Sequence, residues 1–229
     1  MPESNALSGA PFRAEACVTL STYDGLKAEI AAWLRRTDLT DEIPSFIALA
    51  EAQMNRRLRV RPMTARLAAS WSAEYVDLPG DFLSERLVKL TGASPGVLRC
   101  LTPEKIDAMV RSASSGRPRF YALYGQQIRL HPAPDGAYAA ELVYLQALPA
   151  LSEGNPSNWL LASHPDAYLY GALAQSAPYL RADDRLQTWS SLFGAALTDI
   201  ETADRTGSAA QLLTDAPVGG GGRFNIIRG

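Results

Sequence analysis

The period of the hydrophobic pattern changes twice along the chain, and this double change restricts the fold more than any other feature. Apolar residues recur every three or four positions from residue 21 to about 60, alternate from about 63 to 147, and return to helical spacing after residue 163. Tyr23, Leu26, Ile30, Trp33 and Leu34 share one face of a helix predicted to begin near Thr22, with Ser21 and Asp24 spaced as a cap. Ile43, Ile47, Ala50, Met54 and Leu58 stripe a second helix, which admits Pro44 in its first turn and is predicted to stop at Pro62. The link at residues 38–40 is short, so the two helices are expected as an antiparallel hairpin.

Strands are predicted near residues 64–70, 73–78, 85–91, 97–101, 119–124, 127–131 and 138–146, with turns at Gly125 and at Asp135 and Gly136. One helix near 103–112, opened by Thr102 and Pro103, interrupts what reads as a single, mostly antiparallel sheet. Two more helices follow. In the first, Ser163, Pro165 and Asp166 mark the start, and Leu169, Ala172, Leu173 and Ser176 share a face. In the second, from about Asp183 to Asp204, Leu186, Trp189, Phe193, Ala196, Leu197 and Ile200 are spaced by threes and fours. The expected fold class is α+β: a helical bundle from the N- and C-terminal helix pairs, residues 21–62 and 163–205, with an inserted, mostly antiparallel β-rich lobe at 63–162. Residues 1–20 read as a flexible N-terminal extension and 206–229 as an extended C-terminal arm.

A chain of 229 residues hides roughly 70–75% of its unfolded surface, so it needs neither disulfide nor metal to hold a core. Its 22 Lys and Arg against 24 Asp and Glu give a net charge of -2, which supplies no long-range attraction for a polyanion and argues against sequence-independent DNA binding. No run approaches the roughly 18 apolar residues of a membrane span, and the first 20 residues lack a signal-peptide pattern, so the chain is expected to stay in the cytosol in which it is made, without membrane contact. Cys17 and Cys100 are too few for a disulfide framework, and Cys100 is expected as a small core residue.

Catalytic signatures are missing from the pattern. No G-x-S-x-G elbow is present, His131 and His164 both read as structural, and Gly219 to Gly222 lack the Lys-Ser/Thr of a phosphate loop. No catalytic residue, cofactor or metal is therefore expected, and the chain reads as a non-enzyme. Carboxylate neighbours such as Asp183 with Asp184 and Glu74 with Asp77 leave a small carboxylate-based hydrolase as a distant alternative.

Two segments read as partner-binding candidates. The basic run at 56–61, with Arg56, Arg57, Arg59 and Arg61, is either a solvated helix end or an electrostatic contact with an acidic partner or passing DNA. The C-terminal residues Arg223, Phe224, Ile226, Ile227 and Arg228 follow four glycines and read as an arm that orders on a partner, where added backbone hydrogen bonds offset the ordering entropy.

The order of these pieces resembles the head-to-tail adaptor, or connector, proteins of short-tailed and related bacteriophages, a group that includes the tubular tail proteins below the portal. The resemblance is carried by residues 21–59, by VDLPGDFLSERLVKLTG at 76–92, by GRPRFYALYGQQIRLHPAPDG at 116–136, and by 142–189 with its PSNWLL and PDAYLYGAL stretches. It implies a structural virion protein without cofactor, assembled with itself in a ring, typically of twelve copies. It further implies docking on the portal protein above and a tail or nozzle protein below, with genomic DNA passing through without sequence-specific binding. Another tail-completion or tail-tube terminator ring is the nearest alternative. Residues 1–20 and the Gly-rich end depart from the resemblance.

Overall fold

A computed structural model describes the backbone of residues 20–109, 115–180 and 183–214. In chain order come α1 (Tyr23–Leu34), α2 (Ile43–Arg57), a 3-10 turn (Arg61–Met63), β1 (Thr64–Trp71), β2 (Tyr75–Asp77), β3 (Phe82–Leu90), β4 (Gly96–Val97) and β5 (Arg99–Cys100). There follow α3 (Pro103–Met109), β6 (Phe120–Tyr124), β7 (Gln127–His131), β8 (Tyr138–Gln146), α4 (Trp159–Ser163), α5 (Pro165–Leu180) and α6 (Asp183–Thr214). Among the described residues, six α-helices and two mostly antiparallel sheets make the fold α+β, as the double change of period requires. No helix among them is long and apolar enough to cross a membrane. The chain divides into two compact units, residues 1–50 with 150–190 and residues 51–149 with 191–229; two of the three divisions fall within helices, α2 and α6, and the third in the segment between β8 and α4.

In the first unit, α1 buries Tyr23, Leu26, Ile30 and Leu34. Its cap is Thr22, whose Oγ1 accepts the Gly25 amide at 3.2 Å, one residue later than the predicted Ser21. Arg35 closes the helix in a left-handed conformation, φ 52°, with its amide and that of Arg36 returning to the carbonyls of Ala32 and Ala31. Trp33 departs from the predicted stripe and is 42% exposed, because it sits one position off the buried face. Its Nε1 donates to Glu29 at 2.9 Å, and its ring meets Tyr170 edge-on with centroids 6.0 Å apart.

Helix α4 has no counterpart in the predicted elements. Five residues are too few to show a period, yet Asn158 makes the turn form: its Oδ1 accepts the Leu161 amide at 2.9 Å while its Nδ2 donates to the Tyr168 hydroxyl at 2.7 Å. Leu160, Leu161 and Tyr168 are fully buried, and the Tyr23 amide donates to Pro156 O at 2.7 Å, tying the start of α1 to the same loop. The PSNWLL and PDAYLYGAL stretches thus hold a packed, hydrogen-bonded corner. The buried Leu169, Ala172, Leu173 and Ser176 continue it along α5.

The second unit contains both sheets, ordered β1-β8-β3-β4 and β2-β7-β6-β5. A single sheet was expected; alternation reveals which side chains face a core but not which strands pair. The turn at Gly125, φ +59°, joins β6 to β7 as a hairpin, whereas the one at Asp135 and Gly136 carries the chain from one sheet to the other. Trp71, Val88, Leu90, Tyr121, Ile128, Leu130, Ala140, Leu142 and Tyr144, drawn from both sheets, meet in one buried cluster. Strand β8 lies between β1 and β3, pairing with all eight residues of β1 from Thr64↔Leu145 to Trp71↔Tyr138. On its other face Glu141 accepts from Arg66 at 2.7 Å and Lys89 at 3.0 Å, one cation from each flanking strand.

Leu142, 1% exposed at the centre of β8, is expected to cost about 2–5 kcal/mol on truncation to Ala, against within about 0.5 kcal/mol for Leu49→Ala at a 53% exposed position. Urea unfolding of both variants checks the contrast. Arg66 first and Lys89 next hold the Glu141 carboxyl at about 2, below its ordinary 4.5. A depressed folded-state pKa means that the stabilisation is fully present above about 4.5 and is lost as pH falls through about 2. The urea midpoint of the wild type should therefore converge on that of Glu141→Gln as pH is lowered from 5 to 2, and a constant gap would contradict the assignment.

Candidate interaction surfaces

The arginine run at the end of α2 divides by role. Arg57 Nη2 donates to Thr198 Oγ1 at 2.7 Å and Nε to Glu201 Oε1 at 3.3 Å, and Arg61 Nε donates to Asp204 Oδ1 at 2.8 Å, with its backbone amide on the same oxygen. Both therefore clamp the chain leaving α2 to α6. Gly207 lies beside this clamp, where a Cβ would fall 2.4 Å from Arg61 Nη2 and displace the end of that side chain. Arg59 Nη1 donates to the carbonyls of Asn55 and Leu58, closing the helix end, where unpaired carbonyls accumulate. Arg56 is exposed and has no side-chain partner among the described residues. The predicted arm residues Arg223, Phe224, Ile226, Ile227 and Arg228, and Cys17, lie outside the described residues.

The chemistry-bearing groups of the β unit are mutually engaged. Arg129, 8% exposed on β7, donates to Glu74 and to Asp107 of α3, with the Tyr75 and Tyr124 rings 5.3 and 5.9 Å from its guanidinium. Desolvation opposes its charge, but the bonds to Tyr124, Glu74 and Asp107 outweigh it and raise its pKa. Asp77 accepts from Gln127 Nε2 at 2.7 Å, so the neighbouring acids Glu74 and Asp77 each bind a different donor. The His164 amide closes α4 on Leu160 O, and His131 ends β7. No group of three or more His, Cys, Asp or Glu among the described residues could hold a metal ion.

Cys100 is exposed rather than in the core, because β5 is an outermost strand. Desolvation first and the Glu85 carboxylate next raise its thiol pKa. The parallel pairing of β5 with β6, Arg99↔Phe120, has a larger consequence: it brings Arg99 beside Arg117 and Arg119, residues that no local motif connects. The three arginines line an open cleft of about 410 Å³ with Pro95, Gly96 and Val97. All three are exposed; Arg117 Nη2 donates to Ser94 O at 2.6 Å, and none of them has an acidic partner among the described residues. Among the residues whose side chains are described, 4 Lys and Arg stand against 7 Asp and Glu in residues 20–50 with 150–190, and 13 against 12 in residues 51–149 with 191–207, so the first unit is acidic and the second nearly balanced.

The family model of the SU10 adaptor protein matches residues 21–213. No curated protein matches the chain.

The clamp on α6 makes a measurable claim. A double-mutant cycle on Arg61 and Asp204, both partly solvated, is expected to give a coupling of about 0.2–1 kcal/mol, while Arg56→Ala changes stability by less than about 0.5 kcal/mol. Chemical denaturation of the four cycle proteins measures the first, and a coupling of zero would remove the clamp.

Proposed function

Because the chain belongs to the SU10 adaptor protein family, a family of phage head-to-tail adaptors, we propose that it forms a ring under the portal, twelve copies strong, which joins head to tail and continues the DNA channel. The observation that carries the reading is the extent of the family match, which takes in every described helix and strand. A ring subunit meets its neighbour through two different faces, and the excess of acids in the first compact unit, with arginines that lack carboxylate partners in the second, supports contacts of that kind.

In this reading the protein transforms no substrate and binds no cofactor. It works by adhesion in the virion, after assembly in the host cytoplasm, with the portal on one side and a tail or nozzle protein on the other. Genomic DNA passes without sequence readout, and a net charge of -2 suits a wall that must not retain it. Arg56 is available to an acidic neighbour. Arg223, Phe224, Ile226, Ile227 and Arg228 serve as an arm on the portal, twelve such arms acting together through effective concentration.

Electron microscopy of the purified chain mixed with its portal is expected to find rings capping the portal. Rings that instead close the far end of a tail tube would replace the reading with that of a terminator. Truncation after Pro217 is expected to weaken portal binding, and undiminished binding would exclude the arm.

A further inference from the structure

We propose that the cleft of Arg99, Arg117 and Arg119 receives the acidic start of α2, Asp41 and Glu42, from a second copy of the chain. The inference rests on the ring reading and names the surface that would close it.

The cleft gathers three arginines that lack carboxylate partners around one opening. Arg57, Arg61, Arg66 and Arg129 all meet carboxylates within the chain, whereas the three cleft arginines have none among the described residues. Guanidinium groups stay ionised and present planar forks of donors that match carboxylates. Three such groups around one opening repel one another until an anion intervenes. Val97, 64% exposed at the rim, adds an apolar contact that an ion pair in water alone does not provide.

Two arguments select the occupant. The sheets end beside the cleft in β4 and β5, strands of two residues each, and short edges flanked by charge resist the addition of another strand. A helix end is therefore the better fit than an extended chain. Among the acids of the helical unit whose side chains are described, Asp24 and Asp38 are taken by Lys27 and Arg36 and Glu29 accepts from Trp33, while Asp41, Glu42, Glu153 and Asp166 make no ion pair; of these only Asp41 and Glu42 are neighbours in the chain and can fill a cleft of several arginines together. Duplex DNA fits less well, since its affinity depends on neutralising many phosphates and the cleft offers three cations.

The test uses the full chain, alone and with portal, by sedimentation velocity and microscopy at low and high salt. Arg99→Glu with Arg119→Glu leaves the Arg117 tie to Ser94 in place and is expected to weaken self-association by about tenfold or more, as is Asp41→Arg with Glu42→Arg. Circular dichroism and the melting temperature report that each variant is folded. Combining the two pairs should restore the ring. Normal rings from the arginine variant would overturn the inference while leaving the ring reading intact, whereas failure of the wild type to form rings even with portal would sink that reading itself. Loss in both pairs without restoration in the combination would also overturn it, as would normal rings that have lost salt-sensitive retention of duplex DNA.

Discussion

Strand β8 is bonded on both sides, and the architecture of the β unit depends on that position. Its eight-residue pairing with β1 and its pairing with β3 put Ala140, Leu142 and Tyr144 into the core shared by the two sheets. A slip of one residue would exchange this set for Glu141 and Val143, moving a carboxylate into the core and leaving Arg66 and Lys89 without their partner. The apolar face and the ion pairs on the opposite face therefore specify the same register, the buried Glu141 being held between two more exposed cations.

The same economy governs the arginines. One residue type closes a helix end at Arg59, clamps α2 to α6 at Arg57 and Arg61, and ties α3 to the sheet at Arg129. In each case the guanidinium is held by acceptors arriving from another element or from the last helical turn. Among the described residues Arg117 is tied only to the Ser94 carbonyl, and Arg99 and Arg119 have no acidic partner, so it is the surroundings rather than the residue type that leave these arginines available to a neighbour.

Much of the fold was legible because helix and strand periods are imposed by local geometry. The stripe of Ile43, Ile47, Ala50, Met54 and Leu58 is buried throughout, and β7 and β8 fall at the predicted residues. The division into two sheets was not legible, since pairing of β8 with β1 joins residues 67 to 81 positions apart that share only an alternating pattern. Nor was α4, which depends on the Asn158 contact with Tyr168 rather than on a period. Cys100 was placed in the core from its residue type, but an edge strand exposes it. The run at Arg56 to Arg61 was visible as contiguous charge, whereas the cleft arginines are assembled only by the parallel pairing of β5 with β6.

The near-neutral total conceals the property that matters most for a polar assembly. A surface uniformly neutral would give two copies no preferred orientation, whereas an excess of acids in one compact unit and a cluster of arginines without carboxylate partners in the other favours unlike contacts and disfavours like ones. Orientation is what electrostatics supplies best, because solvated pairs contribute little affinity but repel wrongly turned partners. The attraction itself must come largely from apolar contact, and exposed side chains such as Trp33, Leu49, Val97 and Tyr179 are present on both units. In the proposed ring each junction would pair acids of one copy with arginines of the next, and the assembled wall would keep the low net charge per subunit.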